Sequence, residues 1–135
     1  MELSERLAAV LAEILPVTHE EDGALTVRHD ETFASLRVVT IAEDLDLVSL
    51  TQVLAWDLPL DNKIRAKVAK HAHDTLLGTV SLVEKIGAAK GNSKKTGDVL
   101  LRYNFPAAGL TDDALRTLVM MVLATGGDVR RALIA

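Results

Sequence analysis

The chain has 135 residues, of which 49% are hydrophobic and 3% aromatic; none is cysteine, and the formal net charge at pH 7 is −4. This length predicts a single domain, residues 1–135, with a core of aliphatic side chains. The lack of cysteine excludes disulfides, thiolate nucleophiles and cysteine-ligated zinc. The N-terminal residues are not those of a signal peptide, and no segment approaches the roughly 18 apolar residues that a membrane span needs, so we expect a cytoplasmic protein.

Charge is unevenly distributed along the chain. Residues 1–60 contain three basic and twelve acidic residues, a balance of −9, whereas residues 61–102 contain nine basic and four acidic residues, a balance of +5. Blocks of opposite sign can attract each other within one fold or between two copies. Two separately solvated faces are the alternative.

The first half of the chain predicts one helix and three strands. Apolar residues at helical spacing over residues 7–15 predict the helix, which Pro16 ends. Strands are predicted over residues 24–29, 33–41 and 45–58. The third strand is apolar on both faces, since one face would carry Val48, Leu50, Leu54 and Trp56 and the other Leu45, Leu47 and Val53. Such a strand is expected to be central or to lie at an interface.

The second half predicts two helices around two strands. We expect a helix over residues 61–77 with Gly78 as its C-cap, a strand over 79–86, a loop over 87–97 and a strand over 98–105. Thr111 then begins a helix that Gly126 and Gly127 end, and its apolar stripe is Leu115, Leu118, Val119 and Val122.

These elements predict an α+β domain of order α-β-β-β-α-β-β-α. Its antiparallel sheet would have about five strands, with the helices packed on it. No internal repeat or linker divides the chain.

No pattern for catalysis, metal or cofactor binding is found. His71 and His73 would diverge by about 160° on a helix, so a chelate is not expected. The loop at residues 87–97 is rich in lysine and glycine but lacks the order of a phosphate-binding loop. The predicted second helix is basic on its outer side, but the aromatic residues are scattered, so we expect no nucleic-acid partner.

The element order resembles the type III secretion chaperone-like fold. Within that fold, residues 76–83 and 99–115 are similar to the bacterial YbjN-type family of sensory-transduction regulators. The asparagine that these families often carry at the end of the second helix is replaced by Leu76 and Leu77. The resemblance implies a small acidic cytoplasmic homodimer that binds polypeptides or regulates other proteins, without catalysis.

We therefore expect a non-enzymatic protein-interaction module. Its candidate partner or dimer surface lies on the long third strand and the last helix, at Val48, Leu50, Leu54, Trp56, Leu118, Met121 and Val122. Each of these residues could instead be ordinary core. The alternative function is a small-ligand sensor or enzyme with a pocket between sheet and helices around His71 and Tyr103, with Arg102 nearby.

The expected partners are a second copy of the chain and an unidentified polypeptide. The long third strand offers more apolar surface than one sheet face and its helices can cover. A two-fold dimer could bury that excess and set acidic rims against basic ones. An interface of standard size would bury about 1,600 Å² in total.

Overall fold

The structure is a computed structural model that describes residues 2–86 and 95–134. Three helices and six strands are present in these residues. In chain order they are α1 (Leu3–Ala12), β1 (Val17–His19), β2 (Leu25–His29), β3 (Thr32–Ala42), β4 (Leu45–Pro59), α2 (Asn62–Asp74), β5 (Thr79–Ile86), β6 (Lys95–Pro106) and α3 (Asp112–Ile134).

The strands form one antiparallel sheet in the order β1-β2-β3-β4-β6-β5. The predicted α+β class is confirmed, but the sheet has six strands rather than about five. The additional strand, β1, has three residues and pairs with β2 at the sheet edge. Three residues are too few for a period-2 pattern to stand out in a sequence.

The three helices lie on one face of the sheet. α1 contacts β1, β3 and α3, while α3 contacts β2, β3 and β4, and α2 lies against β5. Leu25, Leu36 and Leu50 stand opposite one another on adjacent strands, and all three are buried. Because successive side chains of a strand point to opposite faces, the residues between them point away from the helices.

Side-chain caps explain where two helices begin. The carboxylate of Asp61 accepts a hydrogen bond of 2.7 Å from the N–H of Ile64 at the start of α2. The hydroxyl of Thr111 accepts one of 3.1 Å from the N–H of Ala114 in α3. Both caps satisfy N–H groups that have no partner within the helix.

The second helix ends earlier than predicted. α2 stops at Asp74, and the N–H of its C-cap Thr75 donates to the carbonyl of His71. Gly78 is therefore not the C-cap. It has a φ of +92° in the turn before β5, where a Cβ would stand 2.8 Å from Cδ2 of Leu101. The glycine is required by that turn and by close packing on β6.

The last helix does not end at the glycine pair. α3 continues through Gly126 and Gly127 to Ile134, so the predicted end is wrong. A Cβ at Gly126 would lie only 2.0 Å from Oε1 of Gln52, a buried residue of β4. Gly126 thus lets the helix approach the sheet closely, and this packing outweighs the poor helix propensity of glycine.

Strand β4 is bulged in its second half. Its register with β6 shifts between Val53 and Ala55 and again between Ala55 and Leu58. Asp57 has a positive φ of 52°. Bulges break the alternation of side chains between the two faces of a strand. Trp56 is consequently 68% exposed rather than sharing the buried face of Val48 and Leu50.

The last strand begins earlier than predicted. β6 starts at Lys95, so residues 95–97 belong to a strand rather than to the predicted loop. The rest of that predicted loop, residues 87–94, lies outside the described residues.

Candidate interaction surface

The face of the sheet that points away from the helices is covered by no element among residues 2–86 and 95–134. We call this side the open face. Its outward positions line up in rows across β3, β4 and β6, because the three strands pair without interruption there. In chain order along β4, the rows are Val39–Leu47–Pro106, Arg37–Ser49–Asn104, Ser35–Thr51–Arg102 and Phe33–Val53–Leu100.

The two outer rows of the open face are apolar. Phe33 is 47% exposed and Val39 is 39% exposed, although both are large hydrophobic side chains. Leu47, Val53 and Leu100 are half-buried, since neighbouring strands shield them only from the sides. Each outer row thus places three apolar residues side by side on the surface. Large contiguous apolar patches mark interaction sites on protein surfaces, so these rows are candidates for one.

The two middle rows are polar, and they contain two arginines. The guanidinium of Arg37 lies 2.7 Å from Oδ2 of Asp22. That hydrogen bond is the main reason why the pKa of Asp22 lies below its usual value. Arg102 makes no ion pair with the described part of the chain. Serine and threonine hydroxyls fill most other positions of these rows.

An open cleft of about 400 Å³ adjoins the outer row of Phe33 and Val53. Trp56 lines it, because the bulge in β4 turns this side chain out of the core. The Arg28 guanidinium stacks 4.8 Å from the centre of the Phe33 ring. Arg130 donates a hydrogen bond of 2.8 Å to the carbonyl of Leu54. Tryptophan and arginine are the residues most enriched at the energetic centres of protein interfaces.

A second exposed apolar patch lies on the helical side of the domain. Ile14, 40% exposed, and Met121, 52% exposed, border a shallow cleft together with Met120. Arg116 closes one side and is held by ion pairs with Glu13 and Asp113. We call this the methionine patch.

The seven predicted surface residues differ in their solvent exposure. Val48, Leu50, Leu54 and Val122 are each at most 1% exposed, so they belong to the core of the chain and to neither surface. Leu118 is half-buried against that core. Only Trp56 and Met121 are exposed, and they lie at the open face and the methionine patch respectively.

The predicted partner surface did not include the residues of the two apolar outer rows. Phe33, Val53 and Leu100 alternate with buried residues along their strands, and Val39 lies on the same side of β3 as Phe33. The period-2 pattern was therefore present in the sequence. The side of each strand that faces the helices could not be read from that pattern, because both faces are partly apolar.

The three groups of the alternative pocket do not converge. Arg102 and Tyr103 are consecutive residues of β6, so Arg102 points to the open face and Tyr103 to the helical side. The Tyr103 ring stacks on Phe105 with 5.3 Å between ring centres. His71 is half-buried on α2, which packs on β5. Neither His71 nor Tyr103 lines the cleft beside Phe33 and Trp56 or the cleft of the methionine patch.

The described part of the chain contains neither a cluster of metal-binding side chains nor a membrane-spanning helix. In residues 2–86 and 95–134, no three histidine, aspartate or glutamate side chains stand close enough to hold a metal ion. None of the helices that the structure describes is long and apolar enough to cross a membrane.

Comparison with known proteins finds neither a family model nor a curated protein that matches this chain. Function is therefore inferred from the open face and the methionine patch.

Proposed function

We propose that this protein is a non-enzymatic interaction module, chaperone-like or regulatory, that works in the cytoplasm as a homodimer and binds a polypeptide. The observation that carries the proposal is the open face with its two apolar rows. An antiparallel sheet can leave one face in water, but that face is then normally polar. Phe33, Val39 and Trp56 depart from that rule. A binding partner would bury them.

The methionine patch is the second surface in this proposal. It lies on the opposite side of the domain from the open face, so both can be occupied at once. Methionine side chains are flexible and polarizable, and they adapt to apolar partners of different shape. We assign the polypeptide partner to this patch and self-association to the open face. This arrangement also agrees with the resemblance to YbjN-type regulators and type III secretion chaperones.

Sedimentation equilibrium at low and high salt tests self-association. We expect twice the monomer mass of 14.5 kDa at micromolar concentration. Salt should change the affinity only modestly, because charged contacts at the rim of an interface contribute orientation more than affinity. A mass of 14.5 kDa in both buffers would refute the homodimer.

Fluorescence anisotropy tests polypeptide binding. The probe is a labelled, permanently unfolded polypeptide, such as reduced and carboxymethylated lactalbumin. We expect binding to the wild-type chain and a loss of at least tenfold in affinity for Met121→Glu, which places a charge in the methionine patch. The matched control is Arg131→Glu, an exposed residue of the same helix outside the patch. Equal affinity of both variants would contradict the assignment.

A further inference from the structure

The rows of the open face have a symmetry that points to a specific occupant. Along β4 the outward positions are Leu47, Ser49, Thr51 and Val53, so the order of rows is apolar, polar, polar, apolar. The neighbouring positions on β3 and β6 repeat this order. The pattern reads the same from either end of the sheet. A surface with this property is complementary to itself when rotated by 180°.

We propose that a second copy of the chain covers the open face, sheet against sheet. The two copies are related by a two-fold axis that lies between the two sheets and parallel to them. This axis is perpendicular to β4 and passes over the strand midway between Ser49 and Thr51. This inference rests on the proposed self-association and names its surface. Each apolar row then faces the opposite apolar row of the second copy, so that Val53 packs on Leu47 and Phe33 on Val39. The assembly is a β-sandwich with helices on both outer sides.

The two polar rows also face each other in a compatible way about this axis. Arg37 faces Ser35 of the second copy, and Arg102 faces Asn104. No arginine of the rows therefore meets another arginine. Serine hydroxyls and the asparagine carbonyl can accept hydrogen bonds from a guanidinium, so these groups need not be left unsatisfied.

Charge at the ends of the face selects this axis over a two-fold axis parallel to β4. The end near Leu47 carries the acidic turns at residues 20–22 and 43–46. The opposite end is mixed, because Arg28 stacks on Phe33 and Glu31 lines the same cleft, while Asp30 and Asp57 are paired with Arg131 and Lys85. An axis parallel to β4 would set the acidic turns of both copies together. The perpendicular axis sets them against this mixed end instead, and it also brings the exposed Ile41 toward Trp56.

The available area is sufficient for a stable dimer. Five strands spaced about 4.8 Å apart give a width of about 24 Å, and eight residues at about 3.3 Å each give a length of about 26 Å. The projected area of roughly 600 Å² rises when surface relief is counted and approaches the about 800 Å² per partner of a standard interface.

The edge of the sheet is the main competing interface. β5 is an edge strand of eight residues that pairs with β6 without a bulge. Its two charged residues form ion pairs within the chain, Glu84 with Arg65 and Lys85 with Asp57 and Asp98. These charges therefore do not prevent another strand from pairing with the edge. Pairing of two β5 edges would join two sheets side by side and leave both open faces exposed.

A distance measurement separates these arrangements. The chain has no cysteine, so Thr51→Cys introduces a single spin-labelling site near the proposed axis. Sheets that pack face to face lie about 10 Å apart, which places the two labelled backbones about 12 Å from each other. Pairing through β5 would separate them by about 24 Å, because five strand spacings of about 4.8 Å then lie between the two copies of β4, two in each sheet and one between the paired β5 strands. Met121→Cys, on the helical side, should give more than about 30 Å.

Charge substitution tests the axis itself. Val53→Glu and Leu47→Lys should each raise the dimer dissociation constant at least a hundredfold, while circular dichroism stays unchanged because both residues lie on the open face. The double variant should recover dimerisation, since the introduced carboxylate of one copy would meet the introduced ammonium group of the other. Met121→Glu, outside the interface, should leave the dissociation constant unchanged.

The outcomes assign failure to one proposal or the other. A wild-type monomer overturns both self-association and the sandwich. A dimer with a Thr51 distance near 24 Å or longer overturns the sandwich alone, since that is about the spacing expected for edge pairing. Failure of the double variant to recover dimerisation overturns the perpendicular axis. A monomer whose binding of the unfolded polypeptide is abolished by Val53→Glu would make the open face a polypeptide site instead.

Discussion

Gly126→Ala should destabilise the fold even though it replaces glycine by the best helix former. The new Cβ would stand 2.0 Å from Oε1, 2.4 Å from Cδ and 2.7 Å from Nε2 of Gln52. No real Cβ tolerates such distances, so the amide of Gln52 must move. That amide now donates to the hydroxyl of Thr32 at 2.9 Å and to the carbonyl of Leu123 at 3.1 Å.

The opposing effects can be compared in magnitude. Alanine gains about 1 kcal/mol over glycine inside a helix. Displacing a fully buried amide from its partners costs about 1–3 kcal/mol, and forcing an extra methyl group into a packed core costs about 1–3 kcal/mol more. We therefore expect Gly126→Ala to lower the free energy of unfolding by about 3 kcal/mol.

Urea denaturation followed by circular dichroism, at one fixed protein concentration, measures the effect. Gly127→Ala is the matched control, because its Cβ would meet nothing closer than 3.5 Å. It should be neutral or stabilise by up to about 1 kcal/mol. In a Gln52→Ala background, Gly126→Ala should reverse sign and stabilise, because the obstructing amide is gone. Equal effects of the two glycine variants, or no reversal, would refute the reasoning.

Two further predictions concern a helix cap and an ion pair. Thr111→Ala should lower the free energy of unfolding by about 1 kcal/mol because it removes the cap of α3, whereas Ser4→Ala should not, since α1 has no side-chain cap; urea denaturation of both variants checks this difference. Lys85→Met should destabilise the fold at pH 7 but not at pH 2. The hydrogen bond from Lys85 lowers the pKa of Asp98, and a lowered carboxyl pKa contributes stability above its unfolded value that is lost as the pH falls through the folded one. Urea denaturation midpoints of wild type and Lys85→Met at the two pH values test this prediction. An equal loss of stability at both pH values would contradict the stabilising role of the Lys85–Asp98 ion pair.

Local patterns were sufficient to predict most of the fold. Helical spacing before Pro16, the helix start at Thr111, and apolar runs over β3 and β4 located the main elements. Each of these signals acts within a few residues, so the sequence carries it without tertiary context.

The errors arose where long-range packing overrides a local rule. Gly126 carries a helix-ending signal, yet its role is to make room for Gln52, which is 74 residues earlier in the chain. Trp56 follows the alternation of Val48 and Leu50 in the sequence, but the bulges of β4 remove it from their face. Neither the partner of a glycine nor the position of a bulge is encoded in periodicity.

The same limit explains why four of the seven candidate surface residues, Val48, Leu50, Leu54 and Val122, belong to the core. Both faces of β4 are partly apolar, and only the helices show which face is the core. Once Leu50 and Leu54 are assigned to the core, Leu47 and Val53 remain on the other side with no cover in the described residues.

The position of the polar residues on the open face, more than their number, distinguishes an interface from a solvated sheet. A sheet face that remains in water has most reason to be polar at its ends, where solvent reaches the side chains from several directions. On β3 and β4 the end rows are apolar, with Val39 and Leu47 in one and Phe33 and Val53 in the other, and the outward-facing hydroxyl groups of these two strands lie between them. Water alone would favour the reverse order. A cover that reaches both ends accounts for it, and a second sheet of the same length has the right extent.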